Sequence, residues 1–110
     1  MKKIIQTSKA PAPIGPYNQA ILSGNTLYTS GQIAINPLTG ELNVTTIEEE
    51  TTLVMKNLKA VLAAAEMTFD NVIKTSIFIS DMTNFSEINA IYGRYFNEDI
   101  APARETVEVA

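Results

Sequence analysis

The segment from Thr46 to Ala65 constrains the fold most, because its pattern predicts one long helix with a single apolar face. The run Thr46-Ile47-Glu48-Glu49 matches a capping box, in which Thr46 is the N-cap and Glu49 reaches back to it. Glu48–Glu50 lie where the positive end of the helix dipole favours anions, so they indicate a helix start rather than a metal site. The apolar positions then recur at spacings of three and four: Val54, Leu58, Val61, Leu62 and Ala65.

Five other segments have the composition and alternation of β-strands. A tight turn at Gly24-Asn25 is expected to join the second and third of them. The fourth is rich in β-branched residues, which pack well on a pleated surface. The predicted strands are Ile4–Thr7, Tyr17–Ser23, Thr26–Ile33, Val72–Ser80 and Arg104–Val109.

A second amphipathic helix is predicted over Phe85–Phe96, with Thr83 or Asn84 at its start. The order of elements is therefore three strands, the long helix, a strand, the second helix and a last strand. Packing both helices on one face of a mixed sheet is the simplest way to bury the apolar faces of these elements, so the predicted class is α+β. With 110 residues and no linker-like stretch, the chain is expected to form one domain over residues 1–110.

The composition excludes several classes of chemistry. The chain has no His and no Cys, which removes Ser-His-Asp triads, thiol nucleophiles, disulfides and zinc knuckles. No pair of carboxylates stands out as general acid and base, and no glycine pattern typical of nucleotide binding occurs. Eight basic against twelve acidic residues give a net charge of −4, so a nucleic-acid partner is not expected. No stretch is apolar enough for a signal peptide or a membrane-spanning helix, and we expect a cytoplasmic protein without a membrane partner.

Arg104 is the sharpest candidate for binding chemistry. It follows Pro102-Ala103 and opens the last predicted strand, where a loop can present it beside the end of a sheet. A guanidinium offers a rigid fork of donors that matches a carboxylate with two hydrogen bonds. A lone arginine more often forms a surface salt bridge, here with Glu105 or Glu108, and the periodicity alone favours that alternative.

Other polar residues are candidates for the wall of a site. Tyr17 and Asn18 directly follow a proline-rich loop, and Ser30-Gly31-Gln32 lies midway along a predicted strand. A strand glycine often marks the close approach of a ligand or another chain, and a bulge is an equally weighted alternative. Asn89 lies among apolar neighbours on the second helix. It is either buried with hydrogen-bond partners or, as the pattern slightly favours, exposed.

Five short stretches stand out in order along the chain: Ile14–Ala20, Tyr28–Ile33, Thr39–Glu41, Asn57–Leu62 and Pro102–Arg104. Together they resemble the reactive-intermediate deaminase A family, also called RidA or YjgF and formerly endoribonuclease L-PSP. The resemblance covers essentially the whole chain. It implies a chorismate-mutase-like α+β fold and a homotrimer with small clefts between neighbouring subunits. It also implies hydrolysis of reactive 2-imino acids and their enamine tautomers, such as 2-iminobutanoate and 2-iminopropanoate, to 2-oxo acids and ammonia, with no metal or organic cofactor.

The resemblance also assigns roles to individual residues. Arg104 matches the family arginine that grips the substrate carboxylate, and the Gly31 N–H is the expected second donor to that carboxylate. Thr106 stands where many members have Cys, so we expect it to line the pocket. The remaining matches to cleft-lining positions are Tyr17, Ser30 and Asn89. Family members usually continue past this point with a strand whose glutamate positions or activates the attacking water, so we expect a further C-terminal piece beyond Ala110.

Three functions follow from this comparison of residues. The primary hypothesis is an enzyme, a 2-iminobutanoate/2-iminopropanoate deaminase. The alternative is a non-catalytic binding or regulatory module that holds a small 2-oxo acid or short carboxylic acid in the same pocket. The older assignment as an endoribonuclease or translation inhibitor comes third, because the acidic charge balance and the lack of His weigh against it.

Overall fold

The computed structural model describes all residues from 1 to 110, and its first half contains a three-stranded antiparallel sheet. The strands lie in the order of their numbering: β1 (Lys2–Ile5), β2 (Ala20–Ser23) and β3 (Thr26–Thr29). Gly24, with a φ of 58°, confirms the predicted tight turn between β2 and β3. Glycine adopts this left-handed conformation without the steric cost that a Cβ would add.

The strand predicted over Thr26–Ile33 stops at Thr29, and part of the backbone beyond it bonds to a helix. The carbonyl oxygens of Ile33 and Ile35 accept hydrogen bonds from the Asn57 Nδ2 group, at 3.2 and 3.0 Å. Asn57 is only 1% exposed, so these two bonds satisfy a buried amide and fix the segment after β3.

The long helix α1 (Ile47–Ala64) is confirmed, together with its N-cap. The Thr46 hydroxyl accepts a hydrogen bond from the Glu49 N–H at 3.0 Å and donates one to the Glu49 carboxylate at 3.4 Å. The apolar face of α1 packs on the first sheet and forms the core there. The buried members of that core are Ile5, Ala10, Ala20 and Val61, with Leu22, Leu27, Ala60 and Ala65 packed around them.

The second half of the chain consists of β4 (Lys74–Ile79), α2 (Phe85–Gly93) and β5 (Ala103–Glu108). β4 and β5 pair in parallel, with Thr75 opposite Arg104 and Ile77 opposite Thr106. Parallel neighbours need a crossover connection, which α2 provides while it packs against α1. Short 3-10 turns complete the connections at Phe69–Asn71, Met82–Asn84 and Glu98–Ile100.

The α+β class with two helices is confirmed, whereas the expected single mixed sheet is not formed within the chain. The five strands make two sheets, and no ladder joins β3 to β4 or β5. Beyond β3 the chain makes an isolated antiparallel bridge between Ile35 and Leu42, and the Ile33 and Ile35 carbonyl oxygens accept hydrogen bonds from Asn57 of α1. Neither helix combines the length and the apolarity that crossing a bilayer requires.

Candidate functional site

The Arg104 side chain lies against one face of α2. Its Nη1 donates a hydrogen bond to Asn89 Oδ1 at 2.6 Å. The guanidinium carbon lies 5.0 Å from the centre of the Tyr92 ring and 5.5 Å from that of the Phe85 ring. Residues 85, 89 and 92 are four and three positions apart, which places them on the same helix face. Asn89 is half-buried rather than exposed, so it belongs to the surroundings of Arg104.

Arg104 has no carboxylate partner within the chain, so the surface salt bridge that the periodicity favoured is not formed. Glu105 pairs with Lys74 on the opposite face of the sheet, because successive strand residues alternate between faces. Glu108 shares the face of Arg104 but lies about 13 Å further along the strand. There it accepts a hydrogen bond from the Met82 N–H at 2.6 Å. The positive charge of Arg104 therefore remains available to an external anion.

Two carboxylates near β4 and β5 are stabilised in their charged forms. Hydrogen bonds from the side chains of Lys74 and then Ser76 lower the pKa of Glu105 below its ordinary value of 4.5. The side chain and the N–H of Thr83 do the same for the pKa of Asp81, whose ordinary value is 3.8. Both carboxylates are thus anionic at neutral pH and already hydrogen-bonded. The charge of Lys74 is balanced by Glu105, whereas Arg104 has no anionic partner near β4 and β5.

Tyr17 and Ser30 line a cavity of about 350 Å³ beside the first sheet. The Ser30 hydroxyl donates to the Asn18 carbonyl oxygen at 2.6 Å, so it has only its lone pairs left for a ligand. The Tyr17 hydroxyl accepts from the Ile14 N–H at 3.4 Å and retains its own proton as a donor. The cavity is lined by Lys2, Pro16, Tyr17, Asn18, Ala20, Ile21, Tyr28, Thr29 and Ser30.

Gly31 lies two residues beyond the end of β3, not midway along a strand, and it forms no bulge in the ladder. Its N–H has no hydrogen-bond partner in the chain. A Cβ built at this position would meet no atom within 4 Å. No element of the same chain approaches Gly31 closely, so approach by a ligand or another chain stays a prediction.

Thr106 lies on the same face of β5 as Arg104, two residues further along the strand. Its hydroxyl oxygen is covered by protein atoms and has no hydrogen-bond partner. A buried hydroxyl without a hydrogen-bond partner costs about 1–3 kcal/mol of stability, so such groups are uncommon in folded proteins. Its role in lining a pocket stays a prediction.

The predicted site residues fall into two separate groups within one chain. The first group lies on α2 and β5 and consists of Asn89, Arg104 and Thr106. The second lies at the ends of β2 and β3 and consists of Tyr17, Ser30 and Gly31. No hydrogen bond joins the two groups, and neither Arg104 nor Asn89 lines the cavity that contains Tyr17. No three side chains of the His, Cys, Asp or Glu type come together either, and the expectation of no cofactor stays a prediction.

Sequence reasoning missed the rings that surround Arg104. Phe85 and Tyr92 lie within the predicted second amphipathic helix, where aromatic residues usually belong to the apolar face. Their spacing of four and three residues from Asn89 is the one signal in the sequence, because it places both rings and the amide on the same helix face. Lys2, which also lines the cavity, gave no signal in the sequence, and Tyr28 stands out only as the first residue of the stretch Tyr28–Ile33.

Known proteins resemble this chain over nearly its whole length. The family model described as endoribonuclease L-PSP matches residues 7–110. The RutC family protein slr0709 of Synechocystis sp. is 54% identical over 112 aligned residues, which cover 98% of this chain and 84% of that protein. The Mus musculus protein named 2-iminobutanoate/2-iminopropanoate deaminase is 43% identical over 110 residues, covering 100% of this chain and 81% of that protein.

A solved structure shows the same similarity in three dimensions. The crystal structure of E. coli TdcF with bound serine superposes on this chain with a TM-score of 0.91 and 40% sequence identity. The superposition covers 98% of this chain and 86% of TdcF. With the family model matching all but the first six residues and a relative above 50% identity, the chain belongs to the reactive-intermediate deaminase A family, the family of endoribonuclease L-PSP.

Proposed function

We propose that this protein is an enzyme that hydrolyses reactive 2-imino acids and their enamine tautomers to 2-oxo acids and ammonia. The observation that carries the proposal is Arg104, a cation that has no carboxylate partner and is held by Asn89. A small acid whose carboxylate adjoins a C=N bond suits such a group, because the guanidinium fork matches a carboxylate. The name of the mouse relative supports 2-iminobutanoate and 2-iminopropanoate as the substrates.

The proposed reaction consumes only water. Arg104 holds the carboxylate, and water adds to the C=N carbon while a proton passes to the nitrogen. The resulting carbinolamine expels ammonia as its C–O bond becomes the carbonyl of the 2-oxo acid. Fixed orientation of the two reactants removes a large part of the barrier by itself. A general base must take the proton from water. Glu105 and Glu108 are not assigned this role, because both already accept hydrogen bonds elsewhere.

We also propose that the complete site lies between two copies of the chain, in a homotrimer. The group containing Arg104 and the group containing Tyr17 do not meet within one chain, although each carries unused hydrogen-bonding capacity. The free Gly31 N–H is then a second donor to the carboxylate, contributed by the neighbouring protomer. Tyr17 and Ser30 line the opposite wall of the same cleft, and Thr106 lies beside Arg104.

A cytoplasmic location stays a prediction.

Replacement of Arg104 tests the proposed enzyme. We expect R104A to lower the rate of 2-oxobutanoate formation from dehydratase-generated 2-iminobutanoate by about 100-fold, because a charge-assisted bidentate contact is lost. R104K keeps the charge without the fork and is expected to lose about tenfold. The matched control is R94A, since Arg94 is the only other arginine and lies 3.7 Å from Glu48 on the exposed surface.

Unchanged imine clearance by R104A would refute the assigned role. An equal loss in R94A and R104A would point to damaged folding instead of a lost ligand contact. RNA cleavage that survives extensive purification and disappears in R104A would favour the endoribonuclease function.

The second candidate is a binding module without catalysis, favoured by the bound serine in the TdcF structure. Serine carries the same carboxylate and a similar short carbon chain, so the Arg104 group suits such ligands as well as reactive ones. Calorimetry with 2-oxobutanoate, run beside the imine assay, separates the two candidates. Binding without imine clearance favours the module, whereas clearance that requires Arg104 favours the enzyme.

A further inference from the structure

We infer that Tyr92 is a positioning residue for Arg104. Its ring, held by a hydrogen bond to Thr75, fixes the guanidinium in the orientation that a substrate carboxylate needs. The inference rests on the proposed function, because it assumes that Arg104 is the carboxylate ligand.

The Tyr92 side chain contacts both Thr75 and Arg104. The Tyr92 and Thr75 hydroxyl oxygens are 2.8 Å apart, and the guanidinium carbon of Arg104 lies 5.0 Å from the Tyr92 ring centre. Thr75 is the residue opposite Arg104 in the β4–β5 ladder. The hydroxyl that orients the ring therefore sits on the strand directly beside the arginine. A shift of α2 relative to the ladder would break both contacts together.

Arg104 needs such support because it is exposed and long. Its one hydrogen bond to protein is the donation from Nη1 to Asn89, and four of its five N–H groups remain free. A single bond at one nitrogen leaves the guanidinium plane able to turn about that contact. An aromatic face under the cation restricts this rotation and attracts the charge. Phe85 offers a second ring at 5.5 Å but has no hydroxyl to fix it.

The arginine content of the chain makes a direct measurement practical. Only Arg94 and Arg104 contribute Nε–H signals, so 15N relaxation reports on each side chain separately in the intact protein. We expect Y92L to lower the heteronuclear NOE of the Arg104 Nε–H and to leave that of Arg94 unchanged. We also expect Y92L to raise the calorimetric Kd for 2-oxobutanoate by about tenfold, as fits the loss of a partly desolvated cation–π contact.

Two conservative variants isolate the Tyr92–Thr75 hydrogen bond. Y92F keeps the ring and T75V keeps the shape of Thr75, so both are expected to fold while the ring loses its hydrogen bond and keeps its packing on Phe96. Each should raise the Kd for 2-oxobutanoate by about threefold, less than Y92L does. The KM for the imine should rise in the same order with a smaller change in kcat, because the contact acts on carboxylate binding.

Tyr95 supplies the matched control. It lies three residues from Tyr92 and packs its ring on Phe69 at 5.5 Å, away from Arg104. Y95L should reduce stability while leaving the Arg104 Nε–H relaxation and the Kd at wild-type values.

The outcomes separate the two hypotheses. If R104A abolishes binding of 2-oxobutanoate but Y92L, Y92F and T75V change neither the relaxation nor the Kd, the positioning role is overturned and the proposed function stands. If the wild-type protein does not bind 2-oxobutanoate, or R104A binds it equally well, the proposed function fails and the positioning role fails with it. A similar loss of binding in Y95L and Y92L would mean that Tyr92 acts only through packing, and it would overturn the inference.

Discussion

Gln19 holds the proline-rich loop against the first sheet through one buried amide. Its side chain is 3% exposed, and Oε1 accepts a hydrogen bond from the Thr7 N–H at 2.7 Å. These contacts replace a strand partner for Thr7, so β1 ends at Ile5 rather than at the predicted Thr7. Because the loop leads to Tyr17, Gln19 also sets the position of one half of the candidate site. Its Nε2 group, which carries two protons, lies 2.9–3.2 Å from three carbonyl oxygens, those of Thr7, Ala10 and Pro11, so two of these acceptors share one proton.

Truncation of Gln19 is expected to destabilise the protein. Q19A leaves buried backbone groups of the loop without partners, so the free energy of unfolding should fall by about 2–3 kcal/mol. Urea denaturation measures the change. The control is Q6A at an exposed position of the same strand-to-loop segment, where the change should stay within about 0.5 kcal/mol. Equal effects at the two positions would contradict a specific role for the buried amide.

Single-residue roles were predictable only where the chemistry is rare. Arg104 is one of two arginines in the chain and carries chemistry that few other side chains here offer, so the sequence marks it as a binding candidate, although periodicity alone favours a surface salt bridge and the binding role stays a prediction. Gln19 and Asn57 were not identified. Their hydrogen bonds connect residues 8 to 24 positions apart, and such pairings leave no periodic pattern in a sequence.

At the scale of elements, the β4–β5 ladder presents two different faces. The face toward α2 carries Thr75 and Arg104, which contact the helix side chains. The opposite face carries the ion pair between Lys74 and Glu105. Alternation along each strand produces this separation, so a cation and an anion that are adjacent in sequence serve different surfaces.

The pair of Lys74 and Glu105 predicts how stability depends on pH. The pKa of Glu105 in the folded protein lies below its ordinary value of 4.5, so its stabilising contribution is complete above that value and disappears as the pH falls through the lower folded pKa. The stability difference between wild type and E105Q should therefore be constant at neutral pH and shrink below pH 4.5. Urea denaturation between about pH 3 and pH 7 measures it.

The control for this prediction is E41Q, because the Glu41 side chain forms no hydrogen bond or ion pair in the structure. Its stability at neutral pH should stay within about 0.5 kcal/mol of wild type. A difference for E105Q that grows as the pH falls would reverse the sign and contradict the assigned cross-strand interaction.

Elements with local signals were predictable, and their pairing was not. The N-cap and apolar spacing of α1 lie within about 20 consecutive residues, so they could be read directly. The strand predicted at Val72–Ser80 is observed as Lys74–Ile79 for the same reason. The parallel pairing of β4 with β5 and the separation into two sheets depend on contacts between distant segments, which alternation within one strand does not encode.

At the scale of the whole molecule, the division of the candidate site is the central feature. The class was predictable because the order of amphipathic elements restricts how layers can pack. Clefts between neighbouring subunits were expected only from the family resemblance, since periodicity and composition do not encode how surfaces of the folded chain meet. A homotrimer with shared clefts predicts that each cleft takes Arg104 from one protomer and Tyr17 and Ser30 from its neighbour.

Mixing two inactive variants tests this sharing. The R104A variant lacks the arginine half of each cleft. A Y17A/S30A double variant lacks the half that contains Tyr17 and Ser30. Assembly at equal amounts should restore about one quarter of wild-type activity, because random placement around a closed ring leaves about one quarter of the clefts with both halves intact. Imine clearance by co-expressed, differently tagged chains measures the recovery.

The control for complementation places all three substitutions in one chain and mixes it with R104A. Every cleft then lacks Arg104, so no activity should return, although subunit exchange is the same. Recovery in the first mixture but not in the control requires a cleft built from two protomers. No recovery in either, with mixed assemblies demonstrated by both tags, would mean that Arg104 acts with groups of its own chain. The separation of the two groups within one chain would then need a conformational change to bring them together.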